Sequence, residues 1–480
     1  MLSNGRIADA LADAGHNVTF LNIEHSISIK DFPTTKKAKI LTMGRIPEER
    51  KALMKKEKTA ALHNLFQPPK FFNSYTFFTS FVDINEEVFE LALTEDKNIV
   101  EQLKAEKFDA IFVEQLHPIG NAFGHLLGIN VHFLTNTCPL IENIARIFGI
   151  PNPTGWVPSV GQLPISDKMT FYERAGNLME NYIIDSSRTR LITAATTLFR
   201  THFEENFPDV EEIIKENTPL IFVNVNEFLE FPRPILHNVV YVGGLGMKAT
   251  KNKTLAEPFA SEMKKGKKGV VFFSLGSNVD SSNLPEIVKK NLIDAFASFS
   301  DYHFIIKLET TDDYGINYAK NYPNIFSTNW APQSDLLQHP RLKLFYTHGG
   351  YNSLLEVAQA GKPVLLTPMM YDQTRNAQVI QRNGWGKVIN KIELINGKEN
   401  LVEAMNEMLY NEKYQKEAHR IKHLLETKPF SANEIFIKNV DFVLENGGKL
   451  PELKPASMEM NFFTQNNLDI YLLLQSLVQI

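Results

Sequence analysis

The sequence is poor in cysteine and has little excess charge of either sign. Its 480 residues include one cysteine, Cys138, so an intrachain disulfide framework is excluded. We expect that cysteine to be a small, buried apolar residue. The 50 Lys and Arg residues nearly balance 55 Asp and Glu residues, which leaves a formal charge of −5. Gripping a polyanion requires a basic surface, so we expect no nucleic-acid partner.

Long hydrophobic runs are also missing. Residues Met1–Gly15 lack a basic segment followed by an apolar core, which is the pattern of a secretory signal peptide. The most apolar stretch, Leu468–Ile480, has 13 residues, whereas a membrane-spanning helix needs about 20. As written, the sequence predicts neither a leader nor a complete membrane span.

Motifs for metals and dinucleotides are absent as well. His117, His125 and His132 are eight and seven residues apart, a spacing that matches no ligand motif. The adjacent pair Asp312 and Asp313 lacks the separated carboxylates of a metal-dependent sugar transferase. We therefore predict no metal site. The missing GxGxxG fingerprint weakens the alternative of an NAD(P)-linked oxidoreductase.

What the chain does have is the length and periodicity of two α/β domains. A chain of 480 residues exceeds the size at which single cores stop growing. Short apolar runs alternate with amphipathic segments, which predicts doubly wound sheets. We place the domains at residues 1–245 and 246–450, with a tail at 451–480. In the first domain we predict a long helix over Thr170–Leu191 and a strand around Thr196.

The most informative segment is residues 330–373. Two short apolar runs, Leu344–Tyr346 and Val364–Leu366, are typical of buried parallel strands, and Asn352–Ala360 between them has helical spacing. The loop Thr347–Gly350 opens that helix with two glycines. Its backbone N–H groups can approach a ligand closely, and the helix dipole favours an anion, so we predict a phosphate site.

Within this helix, Asn352 and Glu356 are four residues apart and therefore share one face. An amide near the helix start and a carboxylate one turn deeper suit a phosphate beside a ribose diol.

The fixed positions of this segment resemble the signature of the UDP-glycosyltransferase family, which includes the UDP-glucuronosyltransferases. The matching residues are Trp330, Pro332, Gln333, His348, Gly349, Gly350, Asn352, Glu356, Pro363, Pro368, Asp372 and Gln373. Similarity continues through Val271–Ser277 and Tyr241–Leu245 and covers most of the chain. The resemblance implies a GT-B fold, in which two Rossmann-like doubly wound domains face one another across a cleft.

The resemblance also implies a role for each ligand of the UDP-sugar. The implied ligands are Trp330 and Gln333 for uracil, Ser277, His348, Asn352 and Ser353 for the diphosphate, Glu356 for the ribose, and Asp372 and Gln373 for the sugar, with Gly350 as a further ligand of the UDP-sugar. The first domain would bind the acceptor, and the second would bind the UDP-sugar.

The general base is where this sequence departs from the family pattern. The family has a histidine shortly before a Gly-Arg pair, which Gly5-Arg6 matches here, so counting back puts that histidine at or before the first residue. The strand that precedes this pair in the family is then missing too. Glu114 follows the predicted strand Phe108–Val113, where relatives have an acidic residue that orients the base. The alternative for Glu114 is a solvated or capping carboxylate.

Two functions therefore stay open. One is transfer of glucose or glucuronate from a UDP-sugar to a hydroxyl of a small lipophilic acceptor, with inversion and without a metal or cofactor, since the UDP-sugar is a co-substrate. The other is a UDP-sugar-binding variant that lacks the base. Glucuronate needs a cation near its carboxylate, and Arg375 is the nearest one, although a solvent-facing role is the alternative. Glucose is therefore favoured.

The resemblance implies a cellular setting too. Family members associate with the endoplasmic reticulum membrane, with the enzyme domains in the lumen, and act in detoxification. They carry a signal peptide and a C-terminal span, so both ends of this sequence look incomplete relative to that pattern. The Phe-rich stretch Phe66–Phe81 either lines an acceptor pocket or is an apolar connection that packs onto the domain core.

Overall fold

The computed structural model describes residues 2–23, 35–44, 46–54, 56, 66, 88–247, 255–277 and 279–478. Apart from Phe66, which is buried, the Phe-rich stretch lies outside these residues. Its predicted place in an acceptor pocket therefore stays a prediction.

The strands of the first half form two parallel sheets. They are β1 (Thr19–Ile23), β2 (Lys39–Met43), β3 (Ile111–Glu114), β4 (His132–Asn136), β5 (Ile221–Val223) and β6 (Val239–Tyr241). One sheet pairs β1 with β2, and the other has the order β3-β4-β5-β6. In the part of the chain that the structure describes, no strand joins the two sheets.

The second half contains one six-stranded sheet. Its strands are β7 (Gly269–Ser274), β8 (Tyr302–Lys307), β9 (Ile325–Thr328), β10 (Leu342–Thr347), β11 (Val364–Leu366) and β12 (Gly386–Val388). All pairs are parallel, in the order β9-β8-β7-β10-β11-β12. Counted within the sheet this is 3-2-1-4-5-6, the doubly wound order that the sequence predicts.

Helices alternate with the strands in both halves of the chain. Those described in the first half are α1 (Leu2–Asp13), α2 (Lys97–Glu106), α3 (Ile119–Leu126), α4 (Glu142–Ile147), α5 (Phe171–His202) and α6 (Val210–Asn217). Those that follow are α7 (Phe259–Glu262), α8 (Glu286–Ala297), α9 (Asp313–Ala319), α10 (Gln333–Gln338), α11 (Tyr351–Ala360), α12 (Gln373–Arg382), α13 (Glu393–Asn396), α14 (Glu399–Tyr410), α15 (Glu412–Glu426), α16 (Ala432–Glu445), α17 (Phe462–Gln465) and α18 (Leu468–Val478).

Helix α5 corrects one prediction. It continues through Thr196, where β-branched residues indicated a strand. The hydroxyls of Thr193, Thr196 and Thr197 each donate to the carbonyl oxygen four residues earlier. These hydroxyls therefore have acceptors within the helix. The helix also buries Ile192, Thr196 and Phe199, so tertiary packing overrides the local preference for a strand.

The chain returns to the first half at its end. Phe436 of α16 is fully buried, and its ring packs against Phe112 and Phe222 of the first-half sheet. The C-terminal helix α16 therefore packs on the first half of the chain. Helix α18 exposes most of its apolar side chains, among them Leu472 and Leu473. Across the described ranges, no helix has the length and apolar character needed to span a membrane.

Candidate functional site

The site lies where the winding of the six-stranded sheet reverses direction, between β7 and β10. The loops after these two strands, Leu275–Ser277 and His348–Gly350, lie side by side at the carboxyl edge of the sheet. Ligands of doubly wound sheets bind at such a reversal. The predicted diphosphate ligands of both loops are thus brought together.

Two glycines make room for His348. A Cβ atom added at Gly276, which has φ +77°, would lie 2.6 Å from His348 Cε1, and one added at Gly350 would lie 2.6 Å from His348 Nε2. His348 Nδ1 lies 3.1 Å from Thr347 Oγ1. Burial, together with the charge of Lys307, lowers the pKa of His348 to about 4. The imidazole is therefore neutral at neutral pH and can donate one hydrogen bond but brings no charge.

The start of α11 supplies further donors. The first amide with an acceptor inside the helix is that of Leu354, which donates to Gly350 O at 3.2 Å. The N–H groups of Tyr351, Asn352 and Ser353 thus precede the hydrogen-bonded part of the helix, where the dipole favours an anion.

The predicted uracil and ribose ligands contact one another. Gln333 Nε2 donates to Glu356 Oε2 at 2.9 Å and to Ser353 Oγ at 3.2 Å. The ring of Trp330 is 56% exposed and meets Phe259 edge-on at 6.4 Å between centroids. An exposed indole beside Gln333 is a surface on which a base can stack.

Helix α1 reaches these ligands from the first half. Ser3 Oγ donates to Asn352 Oδ1 at 3.1 Å, and Arg6 Nη2 lies 3.3 Å from Glu356 Oε1. Sequence reasoning did not assign Ser3 or a binding role for Arg6. Their spacing of three residues, which puts them on one face of a helix, was the available signal.

The two predicted sugar ligands, Asp372 and Gln373, differ in which of their side-chain hydrogen-bonding atoms have partners within the protein. Asp372 precedes α12 but makes no capping hydrogen bond. Its Oδ2 accepts from Asn376 Nδ2 at 2.8 Å, and burial raises its pKa to about 6. Gln373 Oε1 accepts from the amides of Met369 and Met370 at 2.9 and 3.0 Å. The acceptor of Gln373 is thus occupied, which leaves its Nε2 donors for a sugar hydroxyl.

Arg375 is neither solvent-facing nor placed as a free cation. Its side chain is 1% exposed, Nη1 is paired with Glu230 Oε1, and Nε donates to Pro158 O at 3.0 Å. Both partners belong to the first half of the chain. The sequence pattern predicted otherwise because a helical arginine is usually exposed, and the carboxylate that pairs with it lies far away in sequence.

Glu114 ends β3, as predicted. Its Oε1 accepts from the amide of Thr137 at 3.4 Å, and its buried Oε2 has no hydrogen-bond donor among the described residues. Burial raises the pKa of Glu114 to about 7. Burial also raises the pKa of the Cys138 thiol, with contributions from Asp372 and Glu114. The carboxylate of the first half, Glu114, and the predicted sugar ligand of the second half, Asp372, thus both influence the pKa of Cys138.

Two of the residues considered for metals, His132 and Asp312, have structural partners. The two ring nitrogens of His132 lie 3.2 Å from Asn121 Nδ2 and 2.9 Å from Ile129 O. Asp312 caps α9 and forms a buried pair with Lys289 at 2.7 Å. In the described ranges no group of three or more metal-ligating side chains is found.

Lys307 is another residue that sequence reasoning missed. It ends β8, next to β7 at the reversal, and its Nζ donates to Gly276 O at 3.1 Å. A charged residue at the carboxyl end of a buried strand was the signal that could have found it.

Comparisons with known proteins agree with this geometry. The model of a family described as "UDP-glucoronosyl and UDP-glucosyl transferase" matches residues 1–480. Two similar relatives are from Caenorhabditis. "Putative UDP-glucuronosyltransferase ugt-48" of C. elegans is 37% identical over 98% of this chain and 88% of its own. "Putative UDP-glucuronosyltransferase ugt-47" of C. briggsae is 36% identical over 98% and 86%.

More distant proteins extend the likeness. Human UDP-glucuronosyltransferase 3A2 is 28% identical over 98% of this chain and 87% of its own. Among solved structures, the spinosyn forosaminyltransferase SpnP has a TM-score of 0.58 at 13% identity, over 92% of this chain and 96% of its own. The glycotransferase of kitacinnamycin has a TM-score of 0.55 at 17% identity, over 91% and 94%. These structures show the GT-B fold.

Proposed function

Because this chain belongs to the UDP-glucoronosyl and UDP-glucosyl transferase family, and is therefore a hexosyltransferase, we propose that it transfers glucose or glucuronate from a UDP-sugar to an acceptor hydroxyl. The acceptor is a small lipophilic molecule, and the anomeric carbon is inverted. The UDP-sugar serves as a co-substrate, and no metal or cofactor takes part.

One observation carries the proposal. The loop Leu275–Ser277, the neutral His348 and the open N–H groups at the start of α11 converge where the sheet order reverses. These are uncharged donors and a helix dipole, which suit a diphosphate. Trp330 and Gln333 flank them with an exposed ring and a planar amide, which suit a nucleobase.

The same donors support the chemistry. As the bond from the anomeric carbon to the diphosphate breaks, negative charge grows on the leaving phosphate. The His348 N–H and the amides of Asn352 and Ser353 are fixed before the reaction, so they stabilise that charge without reorganisation. Attack by the acceptor oxygen from the opposite side inverts the anomeric carbon.

Glu114 is the proposed carboxylate on the acceptor side. Its buried Oε2, open among the described residues, can accept a hydrogen bond from the group that takes the acceptor proton. That bond would hold the group in one orientation, the role that the family gives to a carboxylate after this strand.

We favour glucose over glucuronate as the donor. Asp372 and Gln373 offer an acceptor and donors for hydroxyl groups. The cation of this stretch, Arg375, is paired with the carboxylate of Glu230 and bonded to Pro158 O, so its charge is already compensated within the protein, although its buried Nη2 has no hydrogen-bond partner among the described residues.

We further propose that the protein acts in detoxification, in the lumen at the endoplasmic reticulum membrane. Family resemblance supports this setting, and so do the exposed apolar side chains of α18, such as Leu472 and Leu473.

Single-turnover assays with both donors test the proposal. The protein is mixed with UDP-glucose or UDP-glucuronate and a panel of phenols and lipophilic alcohols, and release of UDP is measured. Transfer from UDP-glucose, at least about ten times more efficient than from UDP-glucuronate, is expected. Asp372→Asn should reduce transfer and leave UDP affinity nearly unchanged. Binding of UDP without transfer from either donor would contradict the proposal.

A further inference from the structure

Lys307 is hydrogen-bonded to the loop Leu275–Ser277, which contains the predicted diphosphate ligand Ser277. Its side chain is 18% exposed, and its Nζ contacts two oxygens, Gly276 O at 3.1 Å and Glu309 Oε1 at 2.6 Å. Among the described residues it is the one cation that is hydrogen-bonded to the loop Leu275–Ser277. The ammonium group thus lies at the carbonyl side of the Gly276–Ser277 peptide.

The bond to Gly276 fixes the direction of the next amide. In a trans peptide the C=O and the following N–H point in opposite directions. Because the carbonyl of Gly276 points at Lys307, the N–H of Ser277 points away from it. Ser277 is exposed, and no acceptor for this N–H is present in the described part of the chain. The loop therefore presents a donor whose orientation Lys307 holds.

The charge balance of the site points to the same residue. A diphosphate carries negative charge, while the nearby donors are amides, hydroxyls and the neutral ring of His348. The charge of Lys307 reaches His348, where it adds to burial in lowering the imidazole pKa. Lys307 is thus close enough to act on a ligand at this loop through space as well as through the Gly276 peptide.

We propose that Lys307 is a positioning residue for the diphosphate of the UDP-sugar: it holds the Gly276 peptide so that the Ser277 N–H faces the diphosphate, and it places a positive charge next to the loop. This rests on the proposed function, since it assumes a nucleoside diphosphate at the site. The alternative is a structural lysine whose partner is Glu309.

Calorimetry with two probes separates these roles. UDP and uridine share the base and ribose, and they differ in the diphosphate. Lys307→Met keeps the apolar stem and removes the donor and charge, so UDP affinity should fall about tenfold while uridine affinity changes by less than about twofold. Lys307→Arg, which keeps a charged donor, should restore most of the UDP affinity. The ratio of the two affinities does not depend on the fraction of folded protein.

The control is Glu309→Gln, which removes the other partner of Lys307 and should leave the preference for UDP over uridine intact. If wild type binds UDP but Lys307→Met loses UDP and uridine equally, or loses neither, the positioning role is overturned and the proposed function stands. If wild type binds no UDP at millimolar concentration, both fail.

Discussion

Gln333 and Glu356 are joined by a hydrogen bond of 2.9 Å from Nε2 to Oε2. One is the predicted ligand of uracil, and the other is the predicted ligand of the ribose. They lie on different helices, α10 and α11, and a second bond from Gln333 to Ser353 ties the same helices together. These predicted nucleotide-binding side chains thus orient one another before a nucleotide binds. Less side-chain entropy is therefore lost when the nucleotide binds.

Glu356→Gln should weaken UDP binding with little loss of stability. The carboxylate accepts from Gln333 and lies 3.3 Å from Arg6, and an amide in its place provides a poorer acceptor for a ribose diol. We expect UDP affinity to fall about tenfold, the value of one hydrogen bond to a charged group. Titration calorimetry measures the affinity, and thermal unfolding measures the stability.

The matched control for that change is Glu403→Gln, the same substitution at an exposed position of α14, which should leave both quantities unchanged. A large fall in melting temperature with unchanged UDP affinity would show that Glu356 serves to join α1, α10 and α11.

Removing Arg375 should destabilise the protein strongly. Arg375 and Glu230 are both almost fully buried, so Arg375→Met leaves a carboxylate without its partner. The free energy of unfolding should fall by about 3–5 kcal/mol. Adding Glu230→Gln should recover part of that loss, because both charges are then absent. Urea unfolding of the two single variants and the double variant measures the coupling.

A neighbouring pair provides the control. Arg382 lies on the same helix, and its Nε is 2.8 Å from Asp167 Oδ2, but the arginine is 37% exposed. Arg382→Met should therefore cost less than about 1 kcal/mol. Equal costs for Arg375→Met and Arg382→Met would contradict the importance of burial.

The second half could be predicted in detail because its signals are local. The runs Leu344–Tyr346 and Val364–Leu366 fall within β10 and on β11, and the predicted helix Asn352–Ala360 is α11 with one more residue at its start. Buried parallel strands are continuous apolar runs, so they can be predicted from a single sequence.

What could not be predicted depends on partners that are distant in sequence. Arg375 reads as an exposed helical residue until Glu230 is placed beside it. Nothing in the sequence near Lys307 shows that the carbonyl of Gly276 lies 3.1 Å away. The strand predicted around Thr196 was wrong for another reason. β-branched residues favour strands locally, but the rest of α5 continues the helix through them.

Gly350→Ala should act through His348. The backbone of Gly350, with φ −63° and ψ 136°, is open to alanine, but the new Cβ would lie 2.6 Å from His348 Nε2. We expect a loss of about 1–3 kcal/mol from overpacking and weaker UDP binding. The loss should be smaller in a His348→Ala background, because the ring is then absent. Thermal unfolding of the four proteins of this cycle measures the coupling.

Gly155→Ala is the control, since the nearest atom to a Cβ there is Arg174 Cδ at 4.0 Å. It should cost little. An equal loss for Gly350→Ala with and without His348 would mean that the loop requires this glycine for its own backbone and not for the ring.

Glu114→Gln should change how stability depends on pH. Burial raises the pKa of Glu114 from 4.5 to about 7 in the folded protein. The folded state therefore holds the proton more tightly than the unfolded state does. The contribution of Glu114 to the free energy of unfolding is thus fully present below pH 4.5 and is lost as pH rises to about 7. Glutamine stays neutral and keeps the hydrogen bond from Thr137.

The free energy of unfolding of Glu114→Gln, relative to that of wild type, should thus increase between pH 4.5 and 7, by at most about 3 kcal/mol, and stay constant above pH 7. Urea unfolding at pH 4, 6 and 8 measures it, with the exposed Glu403→Gln as the control. An advantage that grows as pH falls would mean that Glu114 is stabilised as a carboxylate, because a depressed pKa gives the opposite sign.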